Sequence, residues 1–286
     1  MGGAAFLAAC NDDKKVEDGS TATDNAASDA TVLDKGYYLV QRFPSQPLFV
    51  PGKESRLPVS IPRGGTDGTL RNNGPATING WIEDFDGNKV TDVVATMRND
   101  GISAAYWEVR ATLPKAIIYS LHFEGGDDGG ATFEVWDVEN VHSPKLGEPM
   151  QPFDTPTKDD HRGVEPYCSR ATPCPFHDIT LAEALETGKP VVYMVGTPAH
   201  CTTGTCGPGL EFLIEEHDRL GDQVVIVHAD VYADDQATEV APAVTALNIE
   251  YEPIIYFCKP DATIVDRLDG VWDRSELRDR LDLFLA

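Results

Sequence analysis

The sequence predicts two domains in series: an antiparallel β-sandwich, then a layered α/β domain. Three observations carry this. Residues 36–141 form short alternating apolar and polar runs broken by turn residues, with no helical period. From Phe176 onward, helical and strand-like stretches alternate instead. Between the two regions, residues 142–175 form a Pro-rich connector (Pro144, Pro149, Pro152, Pro156, Pro166, Pro173). At 286 residues the chain is long enough for both units.

Taken in order, residues 11–35 are rich in Asp, Ala, Ser, Thr and Lys without an apolar period, and read as a disordered tether. The strands predicted next cover 37–43, 57–61, 76–83, 90–97, 105–113, 116–123 and 131–138. Asp84-Phe-Asp-Gly87-Asn is a hairpin turn signal between the third and fourth. Alternating strands without a helix read as a sandwich of immunoglobulin-like type, with Trp81, Trp107 and Trp136 as core anchors. This region shows no catalytic constellation, so its expected role is spacing or partner binding. The connector ends in Cys168-Ser-Arg-Ala-Thr-Pro-Cys174, where a disulfide closing the small loop would rigidify the entry to the next domain.

The second domain, 176–286, opens with Thr180-Leu-Ala-Glu183, a capping box for a helix over 181–187. A strand over 190–195 follows, then a helix over 208–220 with Pro208 in its first turn. Next come a strand over 224–229, a helix over 236–247 and a strand over 254–258. A turn at Lys259-Pro-Asp-Ala262, a strand over 263–268 and a helix over 275–285 complete the chain. Parallel pairs in such an order need helical crossovers, whereas the closing pair of strands suits a hairpin.

Charge and cysteines bound the function. The formal net charge is 23 − 47 = −24, which excludes nucleic acid and electrostatic docking on anionic lipid as partners. The six cysteines stand at 10, 168, 174, 201, 206 and 258. Cys258, in an apolar strand, reads as an inert buried thiol. The close pairs 168/174 and 201/206 read as disulfides of an exported protein. Cys201 and Cys206 lie in Gly196-Thr-Pro-Ala-His-Cys201-Thr-Thr-Gly-Thr-Cys206-Gly-Pro208, between a strand and a helix. The unpaired N–H groups and partial positive charge of a helix N-terminus favour a thiolate there, which is the chemistry of thiol–disulfide exchange.

Met1-Gly-Gly-Ala-Ala-Phe-Leu7-Ala8-Ala9-Cys10 resembles the end of a bacterial lipoprotein signal, although the basic leading segment of that family is absent. The resemblance makes residues 1–10 a partial signal and Cys10 the lipidated residue of an extracytoplasmic, membrane-anchored protein. No other apolar stretch approaches the ~20 residues needed to span a bilayer, so Cys10 is the expected route to the membrane.

Residues 176–286 resemble the thioredoxin fold. The matching points are Pro190-Val-Val-Tyr-Met-Val195 before the pair, Cys206-Gly-Pro208, Glu252-Pro253-Ile-Ile-Tyr-Phe257 and Asp261-Ala-Thr-Ile-Val-Asp-Arg-Leu-Asp-Gly270. The resemblance implies that Cys201 and Cys206 are the redox pair, that Pro253 is a cis-proline facing it, and that the disulfide serves in place of a cofactor. Taken as a bare residue, Pro253 only starts a strand. Cys201, at the strand end, is expected to attack and Cys206 to resolve, with the reverse order open. As an imidazolium, His200 would lower the thiol pKa; as a surface residue it would do nothing. An ionised Glu252 near the pair would oppose thiolate formation. Expected partners are exported proteins with thiols or disulfides, and a reductant or oxidant.

The chain departs from thioredoxins in its Cys-x4-Cys spacing, and Met194 stands near the place of their strand carboxylate. Thr197-Pro-Ala-His-Cys201-Thr-Thr-Gly-Thr-Cys206 also resembles one peroxiredoxin subgroup, which implies as the alternative a thiol peroxidase whose first cysteine reduces peroxide and whose second resolves it, but Pro198 and Met194 replace the residues that shape a peroxide pocket. A copper-delivering relative would pair Cys-x3-Cys with a distant His; here the spacing differs, and His228 reads as a core residue. A non-enzymatic alternative is a surface-tethered binding module in which 201/206 is a structural clip. The seven histidines show no close His–His or Cys–Cys–His spacing, so no metal is expected. Asp127-Asp-Gly-Gly130 and Asp234-Asp235 read as solvated turns.

Overall fold

The computed structural model describes residues 33–64 and 68–286. Cys10, its signal-like context and all but the last residues of the expected tether lie outside them.

The N-terminal half contains β1 (Val40–Gln41), β2 (Glu54–Arg56), β3 (Val59–Ser60), β4 (Thr77–Asp84), β5 (Lys89–Arg98), β6 (Tyr106–Glu108), β7 (Arg110–Thr112), β8 (Ile118–Phe123) and β9 (Ala131–Glu134). Seven of them form one antiparallel sheet in the order β1-β3-β6-β5-β4-β8-β9. The hairpin between β4 and β5 turns as the sequence implied: Gly87 has φ +79°, and Asp84 Oδ1 accepts the Asn88 N–H at 2.8 Å.

The expected run 105–113 breaks at Val109, and the strand opposite it breaks at Leu57-Pro58. Both breaks fall at one level, because the Leu57 N–H donates to Val109 O at 2.8 Å. The β2–β7 ribbon therefore continues the β3–β6 pairing beyond a kink. The curl brings the ends of the sheet together through bridges between Phe49 and Val135 and between Tyr37 and Gly126. Antiparallel strands thus form as expected, but in one curled sheet with a ribbon extension rather than two facing sheets.

Phe43, Phe49 and Phe133 fill the interior in edge-to-face contacts with centroids 5.5–6.0 Å apart. Trp107 is fully buried, its Nε1 donating to Pro75 O at 2.9 Å. Trp81 and Trp136 are only partly buried and are not core anchors. Trp81 falls between the inward-facing Ile78, Gly80 and Ile82 of β4, so the two-residue alternation turns it outward against His122.

The C-terminal half contains α1 (Leu181–Glu186), β10 (Val191–Val195), α2 (Cys206–Leu220), β11 (Val225–Ala229), α3 (Pro242–Ala246), β12 (Ile254–Cys258), β13 (Ile264–Asp269) and α4 (Arg274–Leu285). The sheet order is β11-β10-β12-β13, with β10 parallel to β11 and the other pairs antiparallel. The parallel β10–β11 pair and the closing β12–β13 hairpin form as the sequence implied, and β12 runs antiparallel to β10 between them. Both faces of the sheet are covered, so β10 and β12 are apolar throughout rather than alternating. Val192, Met194, Ile255 and Phe257 pack with α2 and α4, whereas Val191, Tyr193, Val195 and Tyr256 pack with α1 and α3. The capping box at Thr180 and Glu183 forms as expected. Only Pro242–Ala246 of the expected helix 236–247 is helical. Asp234 takes the N–H groups of Gln236, Thr238 and Glu239 instead, which holds that stretch in a loop until Pro242 opens α3.

The two halves are locked by buried charge. Arg56 of β2 makes a bidentate pair with Glu276 of α4, both contacts at 2.6 Å, and donates to Asp269 O and Val271 O. The Tyr106 hydroxyl also bonds Glu276, and Arg110 reaches Asp266 at 3.3 Å. Burial alone would raise the Glu276 pKa, but the Arg56 guanidinium outweighs it and holds the carboxyl at about 2.

Candidate functional site

The site forms where β10 ends and α2 begins. After Val195 the chain leaves the sheet at Gly196, and Thr197 is buried, its Oγ1 accepting the Val231 N–H at 2.7 Å. Residues 198–205 loop out and return to α2, which starts at Cys206, two residues earlier than the sequence suggested. Cys201 and Cys206 are joined by a disulfide, with their Cα atoms 5.9 Å apart. Cys201 is partly exposed and Cys206 is buried.

The sulfur of Cys201 sits in a polar cradle. The Cys206 backbone N–H, one of the unpaired donors at the start of α2, lies 3.3 Å from it, and Thr203 Oγ1 lies 3.1 Å from it. Thr203 in turn contacts Thr205, whose hydroxyl donates to Gly270 O at 2.8 Å. The loop is thereby tied to the end of β13. Negative charge on Cys201 Sγ would meet a donor at a helix start, the arrangement that lowers thiol pKa values.

Pro253 opens β12 through a cis peptide bond from Glu252. A Cβ on Gly196 would stand 3.2 Å from Pro253 Cβ, 3.3 Å from Met194 Cε and 3.6 Å from Cys206 Cβ. A side chain at 196 would crowd Pro253 and Met194, so glycine there leaves them their place beside the buried cysteine. Glu252 Oε2 accepts the Thr197 N–H at 2.5 Å and lies 3.5 Å from Cys206 Sγ. Burial holds the Glu252 pKa above its ordinary value, and the Thr197 N–H offsets only part of that rise. The pair therefore does have a carboxylate beside it. It arrives from the cis-proline side rather than from the strand position of Met194, which is buried in β10. His200 stands at the loop with its ring edge-on to Tyr232, centroids 6.3 Å apart.

The N-terminal half reaches this site. Gly270 (φ +74°) lies so close to Arg42 O that an added Cβ would stand 2.4 Å from it. An open groove of about 880 Å³ runs from Thr203, Thr205 and Pro208 to Arg42, Leu70 and Ile102.

Cys168 and Cys174 depart from expectation: they are separate buried thiols, not a loop-closing disulfide. Their side chains converge with His177 and His228 instead. His228 thus belongs to this second cluster and not to the 201/206 pair, so the copper-delivery arrangement of that pair with a distant histidine does not form. Cys258 is a buried free thiol that burial pushes up to about 12.

No family model and no curated protein matches the chain. Among solved structures, the chain is similar to a crystal structure from Chlorobium tepidum, assigned there as a thiol:disulfide interchange protein DsbE. The match covers 50% of this chain and 100% of that one, at 12% identity and a TM-score of 0.37.

Proposed function

We propose that the chain is an extracytoplasmic thiol–disulfide oxidoreductase that works through Cys201 and Cys206. One observation carries this reading: a disulfide at the first turn of α2 with one cysteine partly exposed and the other buried, its sulfur 3.5 Å from the carboxylate of Glu252.

In the reduced protein, Cys201 attacks a client disulfide as thiolate. An S–S bond forms between Cys201 and one client sulfur, and the other client sulfur leaves as thiolate and takes a proton from water. Glu252 accepts the Cys206 proton, and the Cys206 thiolate attacks Cys201 Sγ. The mixed disulfide breaks, the client leaves as a dithiol, and the 201/206 bond has formed. Run backwards, the same steps pass the bond to a client dithiol, so the direction follows the relative reduction potentials. The groove between Arg42, Ile102 and Thr205 is lined by Thr203, whose hydroxyl touches Cys201 Sγ, so an extended client segment lying in it would approach Cys201 past the N-terminal half.

The clients are exported proteins with thiols or disulfides, served by a separate reductant or oxidant. Among the described residues no helix is long and apolar enough to cross a membrane. The lipoprotein-like run ending in Cys10 supports a lipid anchor.

Trapping tests the roles. Cys206→Ser should accumulate a mixed disulfide through Cys201 with a disulfide-bearing client, and Cys201→Ser should not. The opposite pattern reverses the roles, and trapping by neither variant ends the enzymatic reading. Graded dithiothreitol separates catalysis from a structural clip: a catalytic pair reduces early with the fold intact, a clip only as the fold loosens.

A further inference from the structure

We infer that Cys168, Cys174, His177 and His228 form a closed tetrahedral Zn2+ site with a structural role, separate from the redox pair. Their four ligand atoms all lie within 4.8 Å of one another. All four side chains are buried, at 3%, 5%, 2% and 0% exposure.

The spacing is that of a coordination shell. Bonds of about 2.0–2.1 Å to nitrogen and about 2.3 Å to sulfur at tetrahedral angles give N···N edges of about 3.3 Å and N···S edges of about 3.5 Å. The structure has His228 Nδ1 3.2 Å from His177 Nε2 and 3.5 Å from Cys174 Sγ.

The hydrogen bonds behind the ligands point the same way. His228 Nε2 faces Gly196 O at 2.8 Å and Asp230 Oδ1 at 3.5 Å, and His177 Nδ1 faces Pro156 O at 3.3 Å. A carbonyl oxygen only accepts, so each outer nitrogen carries its proton. In a neutral imidazole the inner nitrogen then offers a lone pair. Two such lone pairs face each other 3.2 Å apart among two thiols, away from water. A cation held between them resolves that repulsion, and outer carbonyl and carboxylate partners are the usual support of metal-bound histidines.

Two sulfurs and two nitrogens in a tetrahedron suit Zn2+, and a full set of four protein ligands leaves no open position for chemistry. The site would fasten the connector beneath the loop of Cys201. Asp230 Oδ2 accepts the Ser169 N–H at 2.6 Å, Ser169 Oγ accepts the Ala199 N–H at 3.3 Å, and Gly196 holds His228.

The test is metal content of the full chain purified from zinc-containing medium. The proposal expects one Zn2+ per chain, retained in the Cys201→Ser/Cys206→Ser double variant and lost in Cys168→Ser/Cys174→Ser. Exchange for Co2+ should give the visible bands of a tetrahedral ion and a thiolate charge-transfer band. His177→Cys should keep the metal and His177→Ala should lose it. Should the serine or alanine variants fail to fold, the wild-type stoichiometry and cobalt spectrum still decide. The proposal is overturned if the folded wild-type chain carries no metal. It also fails if mass mapping finds a 168–174 disulfide, or if the zinc leaves with Cys201 and Cys206.

Discussion

Cys201 and Cys206 stand five positions apart and Cys168 and Cys174 six, yet the structure gives the two pairs opposite surroundings. The first pair sits at the start of a 15-residue helix, half open to solvent, with a carboxylate 3.5 Å from its inner sulfur. The second is sealed among two imidazoles whose outer nitrogens are tied to carbonyl oxygens. Near-equal spacing in sequence therefore says little about what sulfur does. A backbone donor and an exposed edge prepare it for exchange, whereas buried nitrogen lone pairs prepare it for coordination.

The sharpest way to break this comparison is to remove each pair in turn. Cys168→Ser/Cys174→Ser should lower stability by several kcal/mol, since metal binding to such a site is folding free energy. Cys201→Ser/Cys206→Ser should abolish exchange and cost no more than about 2 kcal/mol, because the closed loop is short. Chemical denaturation of both variants checks this, and equal losses would erase the distinction.

A smaller effect is expected at Gly196, which touches both sites: its carbonyl holds His228, and its missing Cβ makes room for Pro253. Gly196→Ala must shift Met194 or the cis-proline, at a cost of about 1–3 kcal/mol from overpacking. Slower exchange and weaker metal retention should appear together, as a client-reduction rate and a chelator competition would register.

The smallest effect belongs to Glu252→Gln. Burial raises the folded-state pKa of Glu252 above its ordinary 4.5. Its contribution to stability is therefore full below that ordinary value and fades as pH rises through the raised one. The Gln variant should lack that decline in a pH series of unfolding midpoints. Its Cys206 thiol should titrate lower, since a nearby negative charge is gone, while its mixed disulfides persist longer for want of a proton acceptor. An unchanged thiol titration would remove Glu252 from any role at the 201/206 pair.

The α/β order, the capping box at Thr180, and the placing of Cys201, Cys206 and Pro253 were legible in the sequence, because each rests on local pattern or a motif. The Cys–His cluster was not. His228 is 54 positions from Cys174 and 51 from His177, and only the register of β11 against β10 brings it under Gly196. Local alternation identified strands in the N-terminal half but could not choose their partners, so the kink at Leu57 and Val109 and the resulting curl went unseen. The over-long helix at 236–247 has the same origin: composition favoured helix, and one side chain, Asp234, took the backbone donors first.

The Arg56–Glu276 pair bears on how portable the C-terminal half is. An acid at 0% exposure keeps its charge only because a guanidinium from the other half meets it. Severed at the connector, the C-terminal fragment would carry an orphan anion in its last helix and would have to admit water or protonate there. Homologues that dispense with the curled sheet should therefore have traded that glutamate for an apolar or neutral side chain. Position 276 would then tell C-terminal domains built against such a sheet from those that stand alone.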